Sequence, residues 1–246
     1  MNPIVEFLRQ TDGTVFVDES GKQHRFRLSP GLAEQELSAF ETSVPCALPD
    51  EMRELLRFAR GCEGLACRLG RRFAVEEIGF ADFQGFGLEN IFPHGKELAV
   101  DGCGNSWVVD LTSESKTFAP IFFSCHDPPV VVYQTESLLH FVSEMVRGSR
   151  APWKSDIADV YKEFATRIWR QNPFVQTRSQ CLATGDSELS AFAESFDETW
   201  EFIDLRNPKM GDGYSWGIDD RRCGNMRIFA HQKKKKLGHR FLEAFR

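Results

Sequence analysis

The cysteines and histidines of this 246-residue chain are the side chains with the widest range of possible chemistry. A metal site needs several His, Cys or carboxylate ligands that converge, usually with a short spacing such as Cys-x-x-Cys or His-x-x-x-His. The six histidines and seven cysteines contain no such spacing. The nearest candidate is Cys125-His126-Asp127, with Cys103 brought near by a hairpin. The alternative interpretation is that Cys125-His126-Asp127 are polar residues at the end of a strand. We predict neither a metal ion nor a cofactor.

Nucleophilic catalysis requires a Ser or Cys on a tight turn near a His. Cys103, between Gly102 and Gly104, has such a backbone setting, but the tip of a hairpin explains this pattern better. The run Gly85-Phe86-Gly87 lacks the third glycine and the following helix of a phosphate-binding loop. The sequence therefore predicts no catalytic residue and a protein that is not an enzyme.

The charge is distributed unevenly along the chain. Residues 1–150 contain 22 acidic and 14 basic residues, a net charge of −8, whereas residues 151–246 contain 14 acidic and 16 basic residues, a net charge of +2. An acidic surface repels nucleic acid and steers basic proteins towards it, although it also serves solubility alone. The run Lys233–Lys236 could contact RNA or anionic lipid, but no aromatic stacking platform accompanies it and a solvated tail is favoured. We predict a protein partner rather than nucleic acid.

The composition is that of a globular protein, with 41% hydrophobic residues. No apolar run approaches the ~20 residues that span a bilayer, and the N-terminal stretch lacks the basic and apolar regions of a signal peptide. The odd number of scattered cysteines indicates reduced thiols rather than a disulfide framework. These features predict a soluble, cytoplasmic protein without a membrane segment.

Two helices near the start of the chain are predicted to organise the elements around them. Apolar residues recur at helical spacing from Leu37 to Val44 and again from Met52 to Ala59. Pro49 suits the first turn of the second helix, and Gly61 is expected to end it. Both helices therefore face one core.

Strands are predicted on either side of these helices. Thr14–Val17 and His24–Leu28 form a hairpin pattern, in which His24 is a satisfied strand residue, and a second hairpin surrounds the Asp101–Asn105 turn. Between them, the alternation changes phase at Glu76-Glu77, which indicates a turn or a bulge between two short strands. The central strands and the closing helix are predicted at Ile121–Phe123, Val130–Tyr133 and Leu138–Val146.

The C-terminal part begins after a joint at Gly148–Pro152. Helices are predicted from about Ser155 to Asn172 and from Asp186, and a strand follows at Thr199–Leu205. A loop, Pro208–Gly217, then precedes a last strand at Met226–Ala230. This part either packs on the sheet of the first part or forms a small α+β unit.

A series of short motifs resembles the SUKH superfamily, the Smi/Knr-type proteins, over about residues 32–147, and the order of the motifs carries the resemblance. The motifs are Leu48-Pro49 with its acidic first turn, Leu55-Leu56, Phe92-Pro93-His94-Gly95, Asp101–Asn105 with Trp107–Leu111, Ala119–Phe123 with His126-Asp127, and the helix from Ser137 to Val142. The family often has Asn-Gly where this chain has Arg60-Gly61.

This resemblance implies an α+β fold in which a twisted mixed or antiparallel sheet packs against helices. It places the SUKH-like domain at residues 32–147. Residues 1–31 are expected to form an N-terminal hairpin extension, and residues 151–246, which the resemblance does not reach, a C-terminal α+β extension of unknown role. It also implies a bacterial immunity protein that neutralises a polymorphic toxin by binding the toxin domain directly. A housekeeping scaffold or regulatory interaction protein is the alternative.

A basic toxin domain would bind exposed acids and aromatic residues around the sheet and its loops. Tyr214 and Trp216, in the predicted Gly-rich loop, belong either to such a patch or to the core. The candidate partner-binding residues are Glu63, Glu76, Glu77, Asp82, Glu89, Phe92, Tyr214 and Trp216.

Overall fold

The computed structural model describes residues 2–69, 73–81, 88–217 and 219–232, which form the predicted α+β fold. The candidate Asp82, the Gly85–Gly87 run and Lys233–Lys236 lie outside these ranges. No helix within them is long and apolar enough to cross a membrane. The helices are α1 (Pro3–Thr11), α2 (Glu34–Thr42), α3 (Asp50–Phe58), α4 (Leu138–Gly148), α5 (Thr166–Gln171), α6 (Arg178–Leu182) and α7 (Ser187–Glu194), with a π-helical turn at Tyr161–Ala165.

Fourteen strands are found in the described part of the chain, and their pairings are antiparallel. The strands are β1 (Val15–Val17), β2 (Gln23–Arg25), β3 (Arg27–Pro30), β4 (Ala59–Leu69), β5 (Phe73–Gly79), β6 (Gly95–Val100), β7 (Ser106–Asp110), β8 (Ile121–His126), β9 (Pro129–Thr135), β10 (Gln176–Thr177), β11 (Trp200–Asp204), β12 (Gly213–Ser215), β13 (Arg221–Arg222) and β14 (Ile228–Gln232).

The centre of the molecule is a five-stranded sheet with the order β12-β9-β8-β7-β6. A three-stranded sheet, β3-β4-β5, lies beside it, with β5 next to β6. The predicted central strands β8 and β9 are apolar on both faces because each face of the sheet is covered. The hairpins β1-β2 and β6-β7 also form, but the predicted strand His24–Leu28 is divided at Phe26, and its second half, β3, pairs with β4 instead.

Helices α2 and α3 confirm the predicted opening pair. Met52, Leu55 and Leu56 form the buried side of α3, and its acidic first turn lies at the positive end of the helix dipole. The prediction that Gly61 ends this helix is wrong, because the helix stops at Phe58 and the chain enters β4 directly. Gly61 lies within β4, where a Cβ atom would lie 2.6 Å from the Ile78 carbonyl oxygen, so glycine allows the close approach of β5.

The two sides of the central sheet contribute to different hydrophobic clusters. On the helix side, Trp107, Phe123 and Phe141 are fully buried together with residues from α1 to α4. On the other side, Phe122 packs with Phe92 and with residues of the C-terminal strands. The sheet is therefore a middle layer. The opening helices and the segment around Ile157–Ile168 cover one side, and the C-terminal strands cover the other.

The C-terminal part both packs on the central sheet and forms a small sheet of its own, the two alternatives that the sequence left open. Strands β10, β11, β14 and β13 form a separate four-stranded sheet, whereas β12 enters the central sheet next to β9. Strand β12 lies in the segment predicted to be a loop. An edge strand of the central sheet is thus supplied from residues 213–215, beyond the region that resembles the SUKH domain.

A buried ion cluster joins the central sheet to the four-stranded sheet. The carboxylate of Asp110 is fully buried at the end of β7 and accepts hydrogen bonds from Arg222 at 2.7 and 3.0 Å. Arg227 donates a further bond of 2.7 Å to the same carboxylate. The Arg222 guanidinium also donates to the Ile91 carbonyl oxygen at 2.8 Å. Two arginines of the C-terminal part thereby balance one buried acid of the central sheet.

The predicted joint after α4 is held in place by the buried carboxylate of Glu144. Its Oε2 accepts bonds from Arg147, Ser155 and the backbone N–H of Asp156 at 2.6, 3.2 and 2.9 Å. Burial alone would raise the pKa of Glu144, but these three donors together hold it below its ordinary value. The carboxylate therefore stabilises the joint in its ionised form.

We expect Glu144→Gln to lower the free energy of unfolding by about 1.5–3 kcal/mol at pH 7, because charge-assisted hydrogen bonds are lost. A lowered pKa in the folded state makes this contribution present above pH 4.5, the ordinary value, and lost as the pH falls through the folded-state pKa. Urea unfolding of both proteins from pH 7 to pH 3 measures the effect. The exposed control Glu54→Gln should change little. A difference independent of pH would contradict the assignment.

Candidate functional site

The main candidate site is an open groove of about 620 Å³ between the three-stranded sheet and the tip of the β6-β7 hairpin. One wall is formed by β4 and β5, and the other by the turn that follows β6. The β1-β2 hairpin closes one end. The lining residues are Lys22, His24, Glu63, Gly64, Leu65, Ala74, Glu76, Glu77, Val100, Asp101, Gly102 and Cys103.

Three of the predicted binding acids, Glu63, Glu76 and Glu77, are exposed in this groove. Glu63 of β4 lies directly opposite Glu77 of β5 in the strand register. The register of β4 then shifts before Cys67, and this interruption of the pleat exposes two consecutive glutamates on β5. The sequence predicted a turn or a bulge at Glu76-Glu77. The structure has the irregularity within one continuous strand, so the prediction of two short strands is wrong.

The opposite wall is held rigid by the carboxylate of Asp101. Its oxygens accept bonds from the backbone N–H groups of Cys103 and Asn105 at 2.8 and 3.1 Å, and from the Asn105 amide at 2.6 Å. Gly102 and Gly104 have φ angles of 72° and 87°, which favour glycine. This tight turn leaves the Cys103 thiol exposed at the lip of the groove.

At the closed end, His24 contacts the buried Asp18 through a bond of 3.1 Å, as predicted for a satisfied strand histidine. The Ser20 hydroxyl donates to the same carboxylate, as do the backbone N–H groups of Ser20 and Lys22. These donors, with Ser20 the strongest, hold the pKa of Asp18 well below its ordinary value. A further negative charge is thereby fixed beside the groove.

A second, smaller groove of about 140 Å³ continues from the first and shares Glu63, Glu77 and Val100 with it. Its floor contains Gly61 and Gly79, which face each other in the β4-β5 register. Glu97 of β6 lines it, and burial raises the pKa of this carboxyl, with the Ser106 hydroxyl opposing the rise. The two grooves form one track across the three-stranded sheet, in which acidic side chains outnumber the basic residues Lys22 and Arg60.

The nearest candidate for a metal site, Cys125-His126-Asp127 with Cys103, does not form a ligand cluster in the structure. Cys125 points into the core, where burial raises the pKa of its thiol to about 12, while the neighbouring His126 is exposed and contacts Asn105. Successive residues of a strand face opposite sides, so Cys125 and His126 cannot converge on one ion. No group of three or more His, Cys, Asp or Glu suited to a metal occurs among the described residues. All seven cysteines are free.

Two aromatic candidates are corrected by the structure. Phe92 is 1% exposed, packed against Phe122 and Phe229, and Tyr214 is fully buried in β12 with its ring stacked on Phe229. Neither can contact a partner in this fold. Phe92 was expected at the surface around the sheet and its loops, and Tyr214 either in such a patch or in the core. Both instead fill the space between the central sheet and the C-terminal part.

The remaining described candidates lie away from the groove. Trp216 is partly buried, and its indole N–H donates to the Cys125 carbonyl oxygen at 3.0 Å, which attaches it to the β8-β9 hairpin. Glu89 is exposed near the region where Phe92 enters the core, and it does not line the groove. The candidate acids therefore divide into a clustered set on β4 and β5 and an isolated one.

Sequence reasoning missed the second wall of the groove. The Asp101–Asn105 turn was recognised, but its position opposite Glu63 and Glu77 depends on the placement of β6 beside β5. Glu97 was missed as well. Its alternation with the buried Leu98 in a short strand was the available signal.

Comparison with known proteins leaves the family of this chain open. No family model matches the chain, and no curated protein or solved structure matches it.

Proposed function

We propose that this chain is a non-catalytic protein-binding domain that recognises a basic protein partner through the acidic groove. The observation that carries the proposal is the clustering of Glu63, Glu76 and Glu77 in one open groove with Asp101 and Asp18 beside it. Exposed carboxylates in such a groove attract Lys and Arg side chains and raise the rate of encounter. The groove is wide and open to solvent beyond its closed end, which suits a protein surface better than a small substrate.

We further propose that the partner is a toxin domain and that binding neutralises it. The resemblance of residues 32–147 to the SUKH superfamily supports this class of partner. The net charge of −8 on residues 1–150 supports a basic one. The proposal requires a stoichiometric complex rather than turnover of a substrate.

Neutralising the groove is expected to weaken partner binding by about tenfold or more, because three attractive charges are removed from one surface. The groove variant is E63Q/E76Q/E77Q in the full chain. The control variant E54Q/E163Q/E194Q removes the same charge from exposed positions outside the groove. Tagged wild-type and variant proteins are used to capture partners from native cells at low and high salt, with identification by mass spectrometry.

The expected result is one dominant basic partner at 1:1 stoichiometry, retained by the control variant and lost by the groove variant and at high salt. Equal capture by both variants would place the binding surface elsewhere. Several weak partners that differ between preparations would favour the scaffold alternative. A purified protein that retains a metal ion or small ligand at unit stoichiometry would contradict the non-catalytic assignment.

Cys103 provides a second readout of the same groove. Its thiol is exposed at the lip, whereas Cys46, Cys62, Cys67, Cys125 and Cys181 are buried and Cys223 is partly buried. Modification by a thiol reagent should therefore begin at Cys103. A partner seated in the groove is expected to slow this modification several-fold, measured by peptide mass spectrometry. Unchanged reactivity in a saturated complex would show that the partner binds another surface.

A further inference from the structure

The segment from β12 to the start of β13 contains two buried polar groups that the proposed binding function does not use. The Tyr214 hydroxyl, in β12, and Oδ2 of Asp220 are both inaccessible to solvent; they face each other, and neither atom has another hydrogen-bond partner among the described residues. Tyr214 is fully buried and Asp220 is 1% exposed. An ionised carboxylate with so few donors around it is costly to bury. This pair therefore makes the packing of β12 depend on the proton at Asp220.

The charged groups around the pair do not neutralise Asp220. The Arg221 guanidinium donates to the backbone carbonyl oxygen of Asp220 rather than to its carboxylate, and Asp219 adds a like charge. Arg222 is engaged by Asp110. On the neighbouring strand β14, His231 lies 5.9 Å from the Tyr214 ring, measured between ring centroids. His231 in turn faces Glu201 at 3.5 Å.

Strand β12 is attached to the central sheet over a short length. It pairs with β9 through three residues, Gly213 to Ser215. Ser215 N–H donates to the Asn172 amide oxygen at 3.1 Å, and Trp216 N–H donates to the Pro129 carbonyl oxygen at 3.1 Å. A Cβ atom on Gly217 would lie 3.3 Å from Oδ1 of Asp220, so the carboxyl group lies against the backbone that leaves β12. A charge at Asp220 acts directly on this attachment.

We propose that Asp220 is a pH-sensitive switch that holds β12 in the central sheet when its carboxyl group is protonated and loosens the strand when it ionises. Burial raises the pKa of Asp220 to about 7, while Gly217 and Tyr214 oppose the rise in part. The Tyr214 phenol has a pKa well above its ordinary value because of burial, so it stays neutral throughout this range. Asp220 is therefore the member of the pair that titrates.

The direction of the pH effect on β12 follows from comparing the closed strand with an open state in which Asp220 is solvated and has its ordinary pKa of 3.8. Between pH 3.8 and about 7 the open state loses its proton and the closed state keeps it. The equilibrium for opening β12 should therefore rise about tenfold per pH unit in that interval and level off above it. Acidification strengthens the attachment of the C-terminal part to the central sheet.

Amide hydrogen exchange of the full chain tests the switch. Exchange at Ser215 and Trp216 is measured from pH 5 to pH 8.5 and corrected for the intrinsic pH dependence of amide exchange. Amides of the β7-β8 pair serve as the internal reference. In the wild type, protection at Ser215 and Trp216 is expected to fall about tenfold per pH unit up to pH 7 and then to level off. Asp220→Asn, which cannot ionise, should give protection that does not change with pH.

Tyr214→Phe provides a second, independent variant. The Tyr214 hydroxyl lowers the pKa of Asp220, so its removal should move the levelling-off point to higher pH while the strand remains closed in acid. A wild-type protein whose corrected protection is constant with pH would overturn the proposal. An Asp220→Asn variant that keeps the wild-type slope would also overturn it, because the titrating group would then be another residue.

Discussion

Replacement of Asp110 by alanine is expected to lower the free energy of unfolding by about 3–5 kcal/mol, which is the range found when one partner of a buried ion pair is removed. The Arg222 side chain is 3% exposed and would keep its positive charge in the interior without the carboxylate. Arg227, with 20% of its side chain exposed, can turn partly towards solvent. Urea unfolding, followed by circular dichroism, measures the loss.

Two controls separate the buried charge from other effects of the substitution. Glu34→Ala removes an exposed pair with Arg57, and we expect it to change the free energy of unfolding little, because solvent screens exposed ion pairs. The triple variant D110L/R222M/R227M removes all three charges together and should recover much of the stability, since apolar replacement of a buried ion cluster is often neutral. A cost for Asp110→Ala no larger than that for Glu34→Ala would show that the cluster does not hold the two sheets together.

Gly213→Ala is expected to destabilise the protein by about 2–3 kcal/mol, because overpacking at a fixed backbone contact cannot relax. A Cβ atom at this position would lie 2.0 Å from the Val131 carbonyl oxygen, so β12 cannot stay in register with β9. The loss should appear first as reduced amide protection at Ser215 and Trp216, with protection of β7 and β8 retained. Denaturant unfolding and hydrogen exchange measure the two effects.

Gly185→Ala is the matched control for this substitution. Gly185 has a φ angle of 76°, and a methyl group added there would have no atom within 4 Å, so the change carries only backbone strain, about 1 kcal/mol. If Gly213→Ala behaves like this control, the close contact between β12 and β9 is not a determinant of stability. If protection is lost equally in all strands, β12 does not open independently of the central sheet.

Elements determined by local pattern were predictable from the sequence. Helix α3 follows from the spacing of its apolar residues and from Pro49, and α7 follows from its cap at Asp186. The strands β8 and β9 follow from short apolar runs. In each case the residues that determine the element are neighbours in sequence, so their periodicity and capping residues are enough to predict it.

Elements determined by distant partners were not predictable. Strand β12 has only three residues. Its Tyr214 is buried because β12 pairs with β9 and because Phe229 of β14 stacks on the tyrosine ring. Phe92 was expected at the surface around the sheet and its loops, but it is buried because Phe229 of the C-terminal part packs against it. The acids of β4 and β5 could be predicted from the sequence as candidates. The wall opposite them could not, because it depends on the position of β6 beside β5, which is a tertiary contact.

The late position of β12 in the chain has a consequence for synthesis on the ribosome. Strand β9 is complete at Thr135, and its neighbour in the sheet follows roughly 80 residues later, which takes about 4 to 16 s at ordinary translation rates. During that interval β9 is an open edge, and Asp110 has been made without Arg222 or Arg227. The nascent sheet is therefore exposed to wrong strand pairing until the C-terminal part emerges. Chaperone dependence in the cell should be greatest for chains stalled between these two strands.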